Sequence, residues 1–300
     1  MFDLRYHVAS LAAVFLALVI GILVGVGISS GGFVQKGERR ILNAEIDRLQ
    51  RSLDAARART GDLSRAQHAA ATYVEESYPI LMADRLAGRR VALVFVGPVD
   101  AEVRDLVERT LVDGGARATL RMRAIRVPID TDALGRMLDG RPALARYGRP
   151  NAARELGRRL AQELVRGGKA PVWRLLSAQL VAERSGNEEL SADAVVVARS
   201  VAPQQGPTSR LLRGFYEGLA SSGVPAVGVE TSMATPTAVD AFDKASLSSV
   251  DFVDTEVGRF ALAVLLAGGR PGSYGLKQTA TDGILPPIEA VAAPAVAGER

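Results

Sequence analysis

The sequence contains no cysteine and only two histidines, so several common chemistries lack the residues they need. Without cysteine the chain forms no disulfide and has no thiolate for nucleophilic attack or for binding soft metals. His7 precedes a long apolar run and His68 lies in a helical segment, so neither can complete a Ser-His-Asp arrangement in the rest of the chain. The five methionines are widely spaced and form no local copper motif. We predict no catalytic residues and no metal site, and we expect the protein not to be an enzyme.

Motifs that bind nucleotide phosphates are also missing. The first apolar strand ends in FVGPVDAEV, where Pro98 follows Gly97 and no GxGxxG is present. The chain also lacks a GxxxxGK segment followed by Ser or Thr. The arginines between Arg141 and Lys169 are scattered rather than aligned on one face, which is typical of a solvated surface. We therefore predict no cofactor and no nucleic-acid partner.

Long apolar runs are confined to the N-terminus, where Val8 to Ile28 contains no charged residue. This length matches the roughly 20 helical residues that cross a bilayer. We predict an uncleaved, single transmembrane anchor in residues 1–33. A cleaved signal peptide is the alternative, although the apolar core of such peptides usually has only about 7 to 15 residues.

Small residues recur at every fourth position of this run, AVFLALVIGILVGVGIS. They are Ala13, Ala17, Gly21, Gly25 and Ser29. Small side chains let two membrane helices approach closely, and close packing drives their association in lipid. We predict that Ala13, Ala17, Gly21 and Gly25 form the helix-dimerisation face of a homodimer.

The charges that flank the run predict its orientation. Only Arg5 precedes it, whereas Lys36, Arg39, Arg40 and Arg48 follow it. Because positive flanks stay on the cytoplasmic side, this count taken alone predicts that the bulk of the chain is inside the cell.

Residues 34–86 are rich in Glu, Arg, Ala and Leu, a composition typical of a long helix. Apolar residues recur with heptad spacing, which predicts a parallel coiled-coil stalk. The predicted core residues are Leu42, Ile46, Leu49, Leu53 and Leu63. Gly61 weakens the centre of the pattern. An amphipathic helix that lies on its own domain is the alternative.

Residues 87–285 alternate short Val-rich runs with helical segments, which predicts an α/β domain with a Rossmann-like, mostly parallel sheet and helices on both faces. The strand runs are RRVALVFVG, ADAVVVARS, VPAVGVE and SSVDFVD, and the helices are Asp100 to Val112, Ala152 to Val165, Ser209 to Ala220 and Thr255 to Ala267. Alternating arginines in Ala118 to Val127 predict a half-exposed edge strand. Asp130 to Ala170 is then a helical, basic insertion, and residues 286–300 form a disordered tail.

Polar residues that follow the predicted strands are the candidates for a ligand site, because open α/β sheets bind ligands at these strand ends. They are Gly97, Ser200, Glu230, Thr231, Ser232, Asp254 and Thr255. Helix capping is the preferred interpretation of those near Glu230 and Asp254. Carboxylate catalysis by Glu230 or Asp254 is the alternative. The aromatic residues Trp173, Phe215 and Tyr216 are predicted to be core or partner anchors.

Two segments together resemble the MctB family of actinobacterial envelope proteins, which are described as copper transporters. They are MFDLRYHVASLAAVFLALVIGILVG at the N-terminus and VGRFALAVLLAGGRPGSYGLKQTATDGILPP near the end. The resemblance implies a single-pass cell-membrane anchor, a coiled coil and an α/β domain outside the cytoplasmic membrane, in place of the orientation that the flanking charges predict. It also implies a role in copper efflux or homeostasis, and it is the only reason to name copper as a ligand.

Proteins similar to this family are also associated with daughter-cell separation. The resemblance thus implies an alternative function, a dimeric and non-catalytic scaffold that binds a membrane partner and regulates a peptidoglycan hydrolase. The residues favour this alternative, because one apolar helix without an intramembrane charge offers a cation no path. Transporter, scaffold and envelope enzyme remain three separate hypotheses.

Overall fold

The computed structural model describes residues 4–29, 32–116, 119–149 and 151–288. The chain divides into two units, one up to Ala70 and one from Ala71 onward. The N-terminal unit is helical and contains α1 at Leu4–Ser29 and most of α2. Helix α2 begins at Gly32 and ends at Met82, so its last turns belong to the second unit. Gly31, between the two helices, lies outside the described residues, and α2 continues through Gly61 without interruption. The predicted four-part division of the chain stays a prediction.

The second unit contains a seven-stranded sheet. Its strands are β1 Val91–Val96, β2 Thr119–Ile125, β3 Val181–Gly186, β4 Ala194–Arg199, β5 Ala226–Val229, β6 Ser248–Val250 and β7 Ser273–Tyr274. Their order is β3-β2-β1-β4-β5-β6-β7, and all neighbours are parallel except β2 and β3. Every residue of β1 and of β5 is buried, as expected for strands covered on both faces.

Helices cover both faces of this sheet and confirm the predicted α/β fold. They are α3 Ala101–Asp113, α4 Thr131–Asp139, α5 Ala153–Arg166, α6 Pro171–Leu180, α7 Gly206–Ala220, α8 Val239–Asp243 and α9 Glu256–Leu266. On one face, Ala92, Val94 and Val96 of β1 share a core with residues of α4 to α8. On the other, Val91, Leu93 and Phe95 share a core with α3, α9 and the end of α2. The alternation of β1 side chains between the two cores follows from the two-residue period of a strand.

The prediction that β2 is a half-exposed edge strand is wrong. The edge is β3, which pairs antiparallel with β2 on the side away from β1. Arg121 and Arg123 of β2 are therefore only 1% and 2% exposed. The guanidinium carbon of Arg123 lies 4.4 Å from the ring centre of Trp173, and its Nη2 lies 3.3 Å from Oε1 of Glu188. Stacking and ion pairing thus compensate the burial of this charge.

The segment from Asp130 to Ala170 is helical, as predicted, and it forms part of the main core. Helix α5 packs closely on α7, because a Cβ atom at Gly157 would collide with the backbone oxygen of Leu211, and one at Gly214 with that of Arg154. The predicted core aromatics Trp173, Phe215 and Tyr216 are buried and meet edge to face. Most of the predicted disordered tail, from residue 289, lies outside the described residues.

Candidate functional site

The carboxyl end of β5 carries a buried carboxylate, that of Glu230, which is 4% exposed. Its Oε1 accepts a hydrogen bond from Oγ1 of Thr237 at 2.6 Å, and its Oε2 accepts one from the backbone N–H of Ala238 at 2.6 Å. A buried carboxylate requires such donors to offset its lost hydration. Glu230 therefore organises the loop that leads into α8.

Lys277, in the segment after β7, supplies the counter-charge of Glu230. Its Nζ donates to Oε1 of Glu230 at 2.7 Å and to the backbone oxygens of Thr231 at 3.1 Å and Ala234 at 2.8 Å. An ammonium group has three protons, so these three acceptors occupy all of them. Sequence reasoning did not select Lys277, because this partner lies far from Glu230 along the chain.

Asp251, the first residue after β6, is fully buried and was also not selected. Its Oδ1 accepts from the backbone N–H of Leu276 at 2.8 Å, and its Oδ2 accepts from that of Lys277 at 3.0 Å. The carboxylate thereby fixes the segment that presents Lys277 to Glu230. The sequence feature that could have indicated the role of Asp251 is the presence of a carboxylate within the apolar run SSVDFVD.

Asp254 and Thr255 act on different parts of the same edge. Thr255 caps α9, because its Oγ1 accepts from the backbone N–H of Gly258 at 3.0 Å, and this confirms the prediction for Thr255. The same prediction is wrong for Asp254. Oδ1 of Asp254 accepts a hydrogen bond from the backbone N–H of Ser232 at 2.7 Å, and Oδ2 of Asp254 accepts one from the Ser232 hydroxyl at 2.6 Å. Ser232 and Asp254 therefore join the loops that follow β5 and β6.

Gly97 and Ser200 lie apart from this group, at the ends of β1 and β4, where the strand order reverses. Gly97 has φ of +110°, and a Cβ atom there would lie 2.5 Å from Cγ1 of Val201 and 2.8 Å from Oγ of Ser200. The Ser200 hydroxyl donates to the backbone oxygen of Pro98. Val201 and Ser200 thus pack directly on Gly97, at the position where dinucleotide-binding folds hold the pyrophosphate.

A cavity of about 310 Å³ opens beside the carboxyl ends of β4 and β5. Its lining comes from the end of β4, from α7 and from the segment of α8. The residues include Arg199, Leu212, Arg213, Tyr216, Asp240 and Lys244. Sequence reasoning assigned Tyr216 to the core and selected none of the others. The signal that could have found the cavity is Arg199, a charge at the end of the buried run AVVVAR.

Tyr216 and Arg199 each have an unpaired polar atom in this region. The hydroxyl of Tyr216 and Nε of Arg199 are buried and have no hydrogen-bond partner. Burial raises the pKa of the Tyr216 hydroxyl well above its usual value, and the positive charge of Arg199 opposes this shift. The hydroxyl is therefore protonated at neutral pH and available as a hydrogen-bond donor.

Metal-ligating side chains do not converge in the described part of the chain. No group of three or more His, Asp or Glu residues among the described residues could hold a metal ion. His7 lies in α1 and His68 in α2. The buried carboxylates of Glu230 and Asp251 are occupied by the donors given above.

The predicted dimerisation residues lie on exposed surfaces of α1 and α2. From His7 to Gly27, α1 is long and apolar enough to cross a membrane. The exposed small residues on α1 are Ala13, Ala17, Gly21 and Gly25, whereas the side chain of Ser29 lies outside the described residues. The predicted coiled-coil residues Leu42, Ile46, Leu49, Leu53 and Leu63 are all exposed in the single chain. Their pairing with a second chain stays a prediction.

Comparison with known proteins gives a match that spans both α1 and the α/β unit. The family model described as "Copper transport outer membrane protein, MctB" matches residues 1–285. Proteins named "Copper transporter MctB" from Mycobacterium bovis and from Mycobacterium tuberculosis H37Rv are 27% identical to this chain, and each alignment covers 92% of the chain and 96% of the relative. Because the family match covers far more than half of the sequence and agrees with the resemblance of its two terminal segments, the chain belongs to the MctB family.

Proposed function

We propose that this protein is a membrane-anchored envelope protein of copper homeostasis. The observation that carries the proposal is the family match over residues 1–285, together with relatives that are named copper transporters. In this proposal α1 crosses the cell membrane once and the α/β unit lies outside the cytoplasm.

The α/β unit acts in this proposal without catalysis. Support comes from the strand-end carboxylates, which would have to carry an enzymatic reaction. Glu230 is bound by Lys277, Thr237 and Ala238, and Asp254 is bound by Ser232. The oxygens of both carboxylates are thus engaged by donors of the protein itself rather than directed at a substrate.

Direct movement of copper would require more than one copy of α1. The residues from Val8 to Ile28 include no charged side chain that could replace the hydration of a cation in the bilayer. We propose that the protein is a homodimer in which the small residues of α1 and the heptad residues of α2 contact their counterparts. The exposure of both sets in the single chain supports this arrangement. The scaffold that regulates a peptidoglycan hydrolase stays a prediction from the uncharged span, and the comparisons add no support for it.

Complementation tests the copper role. In a mycobacterium that lacks its own MctB-family gene, expression of this chain should lower cell-associated copper and restore growth on copper. The empty vector is the control. Unchanged copper content at a verified level of membrane-inserted protein would contradict the proposal. Copper flux into liposomes that contain the full-length protein, compared with empty liposomes, then separates direct transport from an indirect role.

A further inference from the structure

We propose that the cavity beside the carboxyl ends of β4 and β5 binds a small organic anion. The proposal is independent of the copper role and concerns a different ligand. Three cationic side chains line the cavity, those of Arg199, Arg213 and Lys244, against one carboxylate, that of Asp240. An excess of positive charge attracts an anion and repels a free copper cation.

The position of Arg199 is fixed by the loop that precedes α8, through Thr237, which also lines the cavity. Its Nη2 donates to the backbone oxygen of Thr237 at 2.5 Å. Its Nε is buried and lacks a partner, so part of the guanidinium's donor capacity is unused. Arginine is well suited to such a site, because its planar group binds carboxylate or phosphate through more than one N–H.

Tyr216 provides a second, independent indication of a ligand. The residue lines the cavity and is only 3% exposed, yet its hydroxyl has no hydrogen-bond partner. A buried hydroxyl that is left unpaired carries a desolvation penalty that no hydrogen bond offsets. The hydroxyl itself is closed to water, so a ligand oxygen reaches it only with a small movement of the lining side chains. Such a contact would remove this penalty, and the negative charge of the ligand would at the same time neutralise Arg199.

The remaining side chains of the cavity define the rest of the ligand. Leu212, Ala241 and Pro203 supply apolar surface, while Lys244 is exposed to solvent. Arg213 is partly neutralised by Glu217, whose Oε1 lies 3.4 Å from its Nε. The volume of about 310 Å³ lies at the lower end of the range for small-molecule sites. We therefore expect a compact apolar body with a single carboxylate or phosphate head.

Calorimetric titration of the full-length protein in nonionic detergent tests the proposal. The probes are benzoate, which carries a carboxylate, and phenyl phosphate, with neutral benzamide as the uncharged control. We expect saturable binding of at least one anion and none of benzamide. The better of the two anions identifies the head group that the site prefers. Absence of saturable binding by both anions would overturn the proposal.

Three variants locate the binding. Arg199→Met should weaken it by about tenfold or more, because a charge-assisted hydrogen bond is lost. Tyr216→Phe should also weaken binding but leave the stability of the ligand-free protein unchanged or higher, since it removes an unpaired hydroxyl. Arg210→Met is the matched control, because Arg210 is an exposed arginine of α7 that does not line the cavity. Equal binding by all three variants would place the anion elsewhere and overturn the proposal.

Discussion

Nζ of Lys277 lies 2.7 Å from Oε1 of Glu230 and joins the segment after β7 to the carboxyl end of β5. Glu230 is almost fully buried, and the Lys277 side chain is 20% exposed. Asp251 holds the backbone of Lys277 in place from the neighbouring strand. The ion pair of Lys277 with Glu230 and the backbone contact of Asp251 therefore tie the segment after β7 to the ends of β5 and β6.

Lys277→Met should destabilise the α/β unit by about 3 kcal/mol, because it leaves the charge of Glu230 buried without its partner. The double variant Lys277→Met and Glu230→Gln should be more stable than the sum of the two single changes predicts, since both charges are then absent. Denaturant unfolding of the full-length protein in detergent, followed by fluorescence of Trp173, measures this, because Trp173 is the one tryptophan of the chain and lies in the core. Additive effects would show that the two side chains do not interact.

Glu217 gives the α5–α7 contact a pH dependence. Hydrogen bonds from Arg154 and Arg158 lower the pKa of Glu217 below its usual value. The native protein therefore binds this proton more weakly than the unfolded chain does. The resulting stabilisation is complete above the ordinary glutamate pKa of about 4.3 and is lost as the pH falls through the native pKa below it.

Glu217→Gln should consequently flatten the loss of stability on the acid side, as measured by denaturant midpoints between about pH 6 and pH 3. Glu108→Gln is the control, because Glu108 is an exposed residue of α3. If Glu217→Gln and Glu108→Gln show the same pH profile as the unmodified protein, Glu217 makes no contribution of this kind.

The fold was predictable where burial leaves a continuous signal in the sequence. All six residues of β1 are buried, so the strand reads as an uninterrupted apolar run. The position of β2 was not predictable, because Arg121 and Arg123 normally indicate a solvent-exposed face. The burial of Arg123 depends on Trp173 and Glu188, and that of Arg121 on the backbone oxygens of Glu188 and Leu190, which are brought close only by the folded chain. The true edge strand β3 has the sequence VAERSG and no apolar run to reveal it.

The candidate site shows the same contrast between local and distant interactions. The capping role of Thr255 was predictable, because its partner Gly258 is three residues away. The cavity was not predictable, because Arg199 lies in β4, Tyr216 in α7 and Lys244 at the end of α8, and only the folded chain brings them together. Pairing of Lys277 with Glu230 requires the complete sheet for the same reason.

Gly214→Ala should destabilise the α/β unit by about 2 kcal/mol, because the added carbon would meet the backbone of Arg154 and force α5 and α7 apart. Gly140→Ala is the matched control. Gly140 has φ of −69°, and a Cβ atom there would have nothing within 4 Å. Denaturant midpoints followed by Trp173 fluorescence compare the two variants. Similar midpoints would show that the helices can separate without cost.

Gly21→Leu combined with Gly25→Leu should reduce crosslinked dimer of the full-length protein in membranes by about fivefold, which corresponds to roughly 1 kcal/mol of association energy. Apart from the adjacent residues and the nearby backbone of α1 itself, no atom of the described residues lies within 4 Å of a Cβ placed at either glycine, so the larger side chains have room on this helix. Val19→Phe combined with Leu23→Phe adds bulk to the opposite side of the helix and should leave the dimer yield unchanged.

A yield that falls equally in both double variants would indicate a general defect of insertion. An unchanged yield in the glycine variant would restrict dimer contacts to α2, and a chain that is monomeric before any change would exclude the dimer.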